Sequence, residues 1–504
     1  MHRIPDRFRD GIIWIFIVIY VIYFTCANCF RYKFFLYHDM DLAIFNQLMW
    51  NTIHGNFLHS SIRGGIIFND HLFPILLFLL PVYAIFQHPI TILFLQSLFL
   101  GLGALPIYIL AKEELNKTFA CAFALLYLIY PALWYANLYD FHPEILLTFF
   151  LPWAFLYFKR GNFKRFLIFI FLALLCKEDV SFIIIMFGIY ALLTKRSKRW
   201  VLVPAITGLA YFLISFNVII PYLNKGAGYK FIHLYSALGK DIPEMIRNAV
   251  THPIAFTRFV LSPLKLNYLF HLFAPVGFLP IFSPLILLIV LPTFMENLLS
   301  GYGPLYSIYY YYTSPITPII FIASIYGVKK LIGLELIKRQ WLLVTFLVLT
   351  GIYMNGIIGP HPIISTPVDY NLYRVRQNFI DTIPEETPIV ATFDFLPKLS
   401  SRKEVYSFHY VYFGRDKVTG AKYVLPSNVE YALLNFNDGL TFHGFKTHES
   451  KKNLENFLEE GRWGVVSFKG SIVFLKKGYK GNYRIYLDEN GRAILARIER
   501  EKAR

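Results

Sequence analysis

Residues 11–29 read GIIWIFIVIYVIYFTCANC, an uninterrupted run of 19 residues without a charged side chain. As a helix, such a run rises about 28 Å, which is close to the thickness of the hydrocarbon core of a bilayer. The rest of the chain is similarly apolar, with 56% hydrophobic and only 16% charged residues and a mean hydropathy of +0.48. The surface of a soluble protein needs more charge than this. The sequence therefore predicts an α-helical polytopic membrane protein.

Apolar runs of this kind recur along the chain and are separated by short, mostly basic loops. Together they predict about eleven transmembrane helices. The predicted spans are approximately 11–29, 89–111, 118–137, 144–158, 164–176, 180–194, 200–221, 269–282, 284–299, 313–328 and 341–358. The segment Leu72–Phe86 is also apolar, but it is short and contains Pro74 and Pro81. We expect it to be re-entrant or interfacial rather than a full crossing.

Charge density changes abruptly towards the C-terminus. Residues 1–369 contain 27 Lys+Arg and 16 Asp+Glu, whereas the shorter stretch 370–504 contains 22 and 16. We therefore predict a transmembrane domain at 1–359, with outer loops at 30–88 and 222–268, and a soluble domain at 360–504. Short apolar segments alternate with polar turns in the tail, which predicts strands at 388–393, 405–408, 423–425, 464–468 and 471–476, a helix at 451–460 and a hairpin at 483–498. This pattern is typical of a small α/β domain.

Basic residues also predict the orientation of the chain. The first ten residues carry three arginines before the first apolar run. By the positive-inside rule, this indicates a cytoplasmic N-terminus, and counting the spans gives an extracytoplasmic C-terminal domain in the cell membrane. The net charge of +17 is explained by loops that flank the membrane. It therefore gives no reason to expect nucleic-acid binding.

Three acidic clusters fall at predicted outer ends of helices. They are His38-Asp39-Met40-Asp41, Asp140-Phe141-His142-Pro143-Glu144 and Lys177-Glu178-Asp179. Ionisable side chains are unusual among apolar helices, and those at the membrane boundary commonly face water or a cavity. Clusters on one side could converge on a site that contains a general base, a divalent cation and cations that bind a phosphate.

Each cluster also has a purely structural interpretation. Asp41 precedes a helical pattern over 42–54 and could simply be its N-cap. Asp140 and His142 could cap a helix that begins near Pro143, because proline is favoured at the first helical position. Lys177 and Glu178 could be interfacial side chains without a function of their own.

The same motifs carry a resemblance to a known family. DLAIFNQLMWN at 41–51, NDHLFP at 69–74, DFHPE at 140–144 and KEDV at 177–180 resemble a prokaryotic family of membrane proteins of unknown function. That family is in turn similar to the GT-C superfamily of membrane glycosyltransferases. One departure concerns Tyr309 and Tyr311, which stand where histidines would be expected before Thr313.

The resemblance implies transfer of a sugar from a polyprenyl-phosphate-linked donor to a glycan, lipid or protein acceptor on the outer membrane face. A carboxylate in the first outer loop would act as the base or as a metal ligand, with Asp41 the better match and Asp39 the second. A possible Mg²⁺ or Mn²⁺ ion and the phosphate would be held by two further groups of side chains. The metal ligands would come from Glu178, Asp179, Asp140, Glu144 and Asp70, and the phosphate would be bound by Lys177, His142, His71 and Arg63.

Two other functions remain open from the sequence. A transporter or flippase of lipid-linked substrates would also place acids and cations along a cavity. Such proteins often have paired repeats with broken helices, which the sequence does not show. A membrane-anchored scaffold would place its function in the tail, and its membrane clusters would then need no cavity.

Overall fold

The computed structural model describes residues 11–37, 39–66, 71–223, 230–361, 367–415, 420–442, 448–459, 463–487 and 493–497. Helices dominate the first 223 residues. They are α1 (Gly11–Lys33), α2 (Asp41–Ile53), α3 (Leu76–Ile85), α4 (Pro89–Leu102), α5 (Ala104–Glu114), α6 (Lys117–Leu128), α7 (Pro131–Leu138), α8 (Leu147–Lys159), α9 (Phe163–Leu174), α10 (Val180–Leu193), α11 (Lys198–Ile214) and α12 (Ile220–Leu223).

The next region is also helical but is more often interrupted. Its helices are α13 (Ile242–Thr251), α14 (Pro253–Val260), α15 (Pro263–Phe273), α16 (Pro284–Leu287), α17 (Leu291–Leu299), α18 (Ile316–Gly333) and α19 (Gln340–Ile358). The interruptions between α15 and α17 have local causes. Gly277 adopts a left-handed conformation with φ of +60°, and prolines occur at the start of several short turns. Residues 269–299 are therefore a series of short helices.

Within the part of the chain that the structure describes, five helices are long and apolar enough to cross a membrane. They are Gly11–Lys33, Pro89–Glu114, Lys198–Leu223, Ile316–Gly333 and Gln340–Ile358, and two bent helix pairs raise the number to seven when each counts as one span. The predicted class, a helical membrane protein with several spans, is confirmed. The number of eleven stays a prediction, because the remaining predicted spans correspond to shorter helices.

Asparagine side chains fix the start of two of these helices. Asn116 accepts a hydrogen bond from Phe119 N at α6, and Asn162 accepts one from Arg165 N at α9. An N-cap of this kind satisfies a backbone N–H that has no partner within the helix. Both helices consequently begin directly after a short polar loop.

The C-terminal region forms a small α/β fold, as predicted. Its elements are α20 (Tyr370–Thr382), β3 (Ile389–Ala391), α21 (Leu396–Leu399), β4 (Val405–Ser407), α22 (Phe408–Phe413), β5 (Tyr431–Asn435), α23 (Gly439–Phe442), α24 (His448–Glu459), β6 (Trp463–Lys469), β7 (Ile472–Lys477), β8 (Tyr483–Leu487) and β9 (Ala493–Arg497). β1 (His59–Ser60) and β2 (Gly65–Ile66) form a short ribbon earlier in the chain. The main sheet has the order β4-β3-β5-β7-β6, and β8 pairs with β9.

Strand direction divides this sheet into two parts. β3 is parallel to both β4 and β5, whereas β5, β7 and β6 are antiparallel. A predicted strand at 423–425 is wrong, and the strand that the prediction missed is β5. The buried residues of β5 are almost continuously apolar, so it lacks the alternation that marks a half-exposed strand.

The chain divides into two compact units. Unit 1 comprises Met1–Asn28, His71–Leu79 and Leu93–Thr366, and unit 2 comprises Cys29–Asp70, Leu80–Ile92 and Pro367–Arg504. Unit 2 therefore combines most of the first predicted outer loop with the tail. The core of its tail includes Val390, Phe408, Leu434 and Leu475. The predicted domain border near residue 360 stays a prediction.

Candidate functional site

Two of the three acidic clusters meet in unit 1. The Nζ atom of Lys177 lies 2.8 Å from Asp179 Oδ2 and 3.4 Å from Glu144 Oε1. Lys177 and Glu144 are buried, with exposed fractions of 8% and 4%. A buried charge needs a partner of opposite sign. Here one ammonium group offsets two carboxylates that come from different segments of the chain.

Glu178 has different partners from its neighbours. It accepts a hydrogen bond of 2.6 Å from His71 Nδ1 and one of 2.9 Å from Leu72 N. Burial raises the pKa of the Glu178 carboxyl, but the charges of His71 and Lys177 and the hydrogen bonds from His71 and Leu72 N together outweigh this, and the pKa is lowered overall. Burial lowers the pKa of His71, but the charge of Glu178, the hydrogen bond to it and the charge of Glu144 together raise the pKa above its usual value. The pair is therefore a buried ion pair.

The DFHPE segment contributes Glu144 to the cluster around Lys177. A helix was predicted to begin near Pro143; in the structure, Pro143 begins a short 3-10 turn at Pro143–Leu146 that precedes α8, and His142 occupies the N-cap position. The side chain of His142 makes no capping hydrogen bond. Its ring instead stacks on Tyr311 with 3.4 Å between ring centroids. The expected capping role of His142 is therefore wrong, because the ring packs against an aromatic side chain.

A small cavity of about 20 Å³ opens beside Lys177. Its lining combines charged, amide and aromatic side chains with a few apolar ones: Glu144, Lys177, Asp179, Ile183, Thr293, Glu296, Asn297, Leu305, Tyr311, Tyr312 and Pro315. A volume of this size holds a water molecule but not a sugar. Any sugar bound here would need these side chains to move apart.

Glu296 is a cavity residue that sequence reasoning missed. It lies in α17, inside a stretch that was predicted only as a span. The signal that could have found it is its isolation, since it is the one acidic residue between Glu244 and Glu335. An intramembrane acid is a functional candidate by default.

Lys265 falls in the predicted outer loop at 222–268, but it is 98% buried. Its Nζ lies 3.4 Å from the Phe259 ring centroid and 5.1 Å from that of Tyr306. Among the described residues, this Nζ has no hydrogen-bond partner. Lys265 does not line the cavity, but Tyr268, one turn later in α15, accepts a hydrogen bond from the cavity residue Asn297.

Among the described residues, the predicted metal ligands do not converge on a cation site, and their assignment to a metal stays a prediction. Within the described ranges, no group of three or more His, Cys, Asp or Glu side chains is placed to hold a metal ion. Between Glu144 and Asp179 lies the ammonium of Lys177, and Glu178 is paired with His71. Asp140 is buried but does not line the cavity. Asp70 lies outside the described residues.

The predicted catalytic carboxylates belong to unit 2. Asp41 is the first residue of α2, and the N-cap position is taken by Met40. The suggestion that Asp41 is the N-cap is therefore wrong, because the helix starts one residue earlier. Asp39 Oδ1 accepts a hydrogen bond of 2.8 Å from Met40 N. Asp41 lies in the first helical turn, where the helix dipole stabilises a carboxylate.

Three other polar residues of the DLAIFNQLMWN motif have a structural role within unit 2. Asn46, Gln47 and Asn51 are fully buried in α2. Asn46 Nδ2 donates to Ser400 Oγ at 2.9 Å, and Gln47 Nε2 donates to the carbonyl of Lys403 at 3.2 Å. These bonds tie the first predicted outer loop to the tail.

Arg63 is also engaged within unit 2. Its Nη1 donates a hydrogen bond of 2.9 Å to the Tyr410 hydroxyl. The four predicted phosphate-binding residues thus each have a protein contact already, and their assignment to a phosphate stays a prediction.

The fold and the charged cluster define a helical membrane protein that carries buried ion pairs beside a cavity and ends in a small α/β domain. More specifically, the chain belongs to the family described as predicted membrane protein (DUF2079), whose model matches residues 31–473. This agrees with the resemblance inferred from the motifs. Among curated proteins, none matches this chain.

Three solved structures with some similarity to this chain come from two different proteins. The chain aligns with the oligosaccharyltransferase AglB from Archaeoglobus fulgidus, in complex with an inhibitory peptide and a dolichol-phosphate, at 14% identity and a TM-score of 0.49, covering 98% of this chain and 75% of that one. Another structure of the Archaeoglobus fulgidus oligosaccharyltransferase contains Zn and sulfate, with 14% identity, a TM-score of 0.48 and coverage of 92% and 69%. ArnT from Cupriavidus metallidurans, bound to undecaprenyl phosphate, gives 11% identity, a TM-score of 0.46 and coverage of 92% and 98%. At these values, the similarities do not bear on what this chain does.

Proposed function

We propose that this protein is an integral membrane glycosyltransferase that transfers a sugar from a polyprenyl-phosphate-linked donor to an acceptor on the outer membrane face. The observation that carries the proposal is the Lys177 ammonium held between Asp179 and Glu144 beside a cavity. Buried charges in an otherwise apolar helical protein are costly and are commonly associated with function. The motif resemblance supplies the reaction class.

In such a transfer, an acceptor hydroxyl oxygen bonds to the anomeric carbon of the sugar while the bond from that carbon to the phosphate oxygen breaks. The hydroxyl proton passes to a carboxylate, and the leaving polyprenyl phosphate gains negative charge. We assign the base to Asp41, with Asp39 as the second choice, on the resemblance alone. Attack from the face opposite the leaving group would invert the anomeric centre.

Cations near the leaving phosphate would stabilise its developing charge. Lys177 and His71 are each paired with carboxylates, which weakens their attraction for a phosphate. Lys265 is buried without a carboxylate partner among the described residues. We therefore add Lys265 to the predicted phosphate-binding residues. An ammonium group packed against aromatic rings and poorly solvated interacts strongly with an incoming anion.

The described acids do not fit a divalent ion, so the proposal includes no step through Mg²⁺ or Mn²⁺. The expected outcome is transfer that persists in the presence of a chelator. A complete loss that is restored by adding Mg²⁺ or Mn²⁺ would contradict this part of the proposal and would return the metal to the site.

The proposal is tested with the full-length protein in liposomes that contain a synthetic polyprenyl-phosphate-linked hexose. Release of polyprenyl phosphate and labelling of an added glycan, lipid or peptide acceptor are measured together. Asp41→Asn is expected to abolish release, and the exposed tail residue Asp381 supplies the control Asp381→Asn. Unchanged release by Asp41→Asn would remove Asp41 as the base.

The same liposomes separate the alternative functions. A transporter or flippase would move the lipid-linked sugar between leaflets without releasing polyprenyl phosphate. A membrane-anchored scaffold would do neither. Movement without release would therefore replace the glycosyltransferase proposal with the transporter.

A further inference from the structure

Charged side chains from four helix ends and loops lie together at one end of unit 1. Lys159 Nζ is 3.1 Å from Glu113 Oε2 and also pairs with Glu114. Lys329 Nζ lies 2.5 Å from Glu114 Oε2, and Arg196 Nη2 donates to the carbonyl of Lys159 at 3.2 Å. These contacts join the C-terminal parts of α5, α8 and α18 and the loop after α10. Basic charge therefore collects at this end of the helices.

A second cavity, of about 640 Å³, opens at this end. Its volume is within the range of roughly 300–1,000 Å³ that is typical of ligand pockets. The cavity is lined by Tyr326, Lys329 and Lys330 of α18 and by the segment from Phe282 to Ile286. It is distant from the ion pairs around Lys177, because Pro315 and Lys329 line different cavities and α18 rises about 20 Å between them.

The lining has two chemically different parts. Phe282 and Leu285 are large apolar side chains with exposed fractions of 42% and 39%, whereas Lys329 and Lys330 are exposed cations at the rim. Glu114 offsets the charge of Lys329, but Lys330 adds a further positive charge. Hydroxyl groups from Ser283 and Tyr326 also line the cavity. Such a cavity suits an amphiphile with an anionic head and apolar chains.

We propose that this cavity binds an anionic phospholipid. The phosphate of the head group lies near Lys330 and Lys329, and the acyl chains follow the apolar side chains of Phe282 and Leu285 into the bilayer. Basic pockets between transmembrane helices commonly bind anionic head groups. A zwitterionic phospholipid would place its own cation among the lysines and would bind less well. This binding does not depend on the transferase proposal, because the cavity lies at the opposite end of α18.

The test titrates the delipidated full-length protein with short-chain phosphatidylglycerol or phosphatidylcholine and counts bound lipid by native mass spectrometry. Wild-type protein is expected to prefer phosphatidylglycerol. Lys330→Glu removes one attractive charge and adds a repulsive one, so it should weaken phosphatidylglycerol binding by more than about fivefold, the effect of one lysine charge near a membrane surface. Binding of phosphatidylcholine should change much less.

Lys338→Glu is the matched control, because Lys338 is exposed in the loop after α18 and does not line the cavity. Ser283→Trp is an independent variant that fills the cavity without changing charge, and it should reduce binding of both lipids. The proposal is overturned if Lys330→Glu and Lys338→Glu weaken binding equally, since the effect would then be diffuse surface charge. It is also overturned if neither Lys330→Glu nor Ser283→Trp reduces binding.

Discussion

His71 and Glu178 form a 2.6 Å ion pair between residues that are 107 positions apart in the chain. The carboxylate of Glu178 is fully buried, and the side chain of His71 is 20% exposed. The same carboxylate accepts a hydrogen bond from Leu72 N. One acid at the start of α10 thus holds both the side chain of the NDHLFP motif and its backbone in place. Glu178 is therefore expected to be important for stability, whatever its part in the reaction.

We predict that Glu178→Gln destabilises the protein strongly. Breaking a buried pair by changing one partner costs about 3 kcal/mol, because the other charge is left without compensation. The measurement is thermal unfolding of the full-length protein in detergent, followed by intrinsic fluorescence. Glu335→Gln is the control, since Glu335 is exposed in the loop after α18. Equal unfolding temperatures for the two variants would show that the ion pair does not hold residues 71–72.

The same pair predicts a pH dependence of stability. The pKa of His71 is raised above 6.5 in the folded protein. Its contribution to the free energy of unfolding is therefore complete below pH 6.5 and is lost as the pH rises through the raised pKa. The pKa of Glu178 is lowered below 4.5, so its contribution is complete above pH 4.5 and is lost as the pH falls through the lowered value. The ion pair therefore stabilises the folded protein most between pH 4.5 and pH 6.5.

The check is the unfolding temperature of wild type and His71→Gln as the pH is raised from 6.5. The unfolding temperature of the wild type should fall more steeply than that of His71→Gln, which has no proton to lose at this position. Parallel curves would show that His71 is already neutral near pH 6.5, and the ion pair would then be an ordinary hydrogen bond.

Gln47 gives a prediction for unit 2. Its side chain donates to Ser61 Oγ at 2.8 Å and accepts from Ser60 Oγ at 2.8 Å, in addition to its bond with the Lys403 carbonyl. Replacing it by Leu leaves several buried polar groups without partners, at a cost of about 2–4 kcal/mol. We expect Gln47→Leu to expose the tail to limited proteolysis. Gln377→Leu, which changes a glutamine on the exposed side of α20, should leave the digestion pattern unchanged.

Much of the fold and of the candidate site follows from the periodicity of apolar residues and from the positions of charges. The remainder depends on contacts between residues that are distant in the sequence. The helices and the approach of Glu144 to Lys177 were expected because the charged residues interrupt apolar runs at equivalent depth. Glu296 was missed because a single acid does not break the apolar pattern of its segment. The bond between Gln47 and the tail was missed because its partners there lie more than 350 residues away. No local pattern encodes such a pairing.

The last prediction concerns Lys265, whose proposed role differs from a purely structural one in a measurable way. Its ammonium is buried against Phe259 and Tyr306, and desolvating a cation without an acceptor is unfavourable for folding. Lys265→Met keeps a long side chain and removes the charge, so it should leave the unfolding temperature unchanged or raise it. If Lys265 binds the donor phosphate, release of polyprenyl phosphate should nevertheless fall by about tenfold or more, the effect of one charge-assisted contact.

Lys240→Met, at an exposed lysine of the same predicted loop, is the control. A variant that loses stability and activity together would indicate that Lys265 only supports the packing of α15, whereas normal release by a stable variant would remove it from the site.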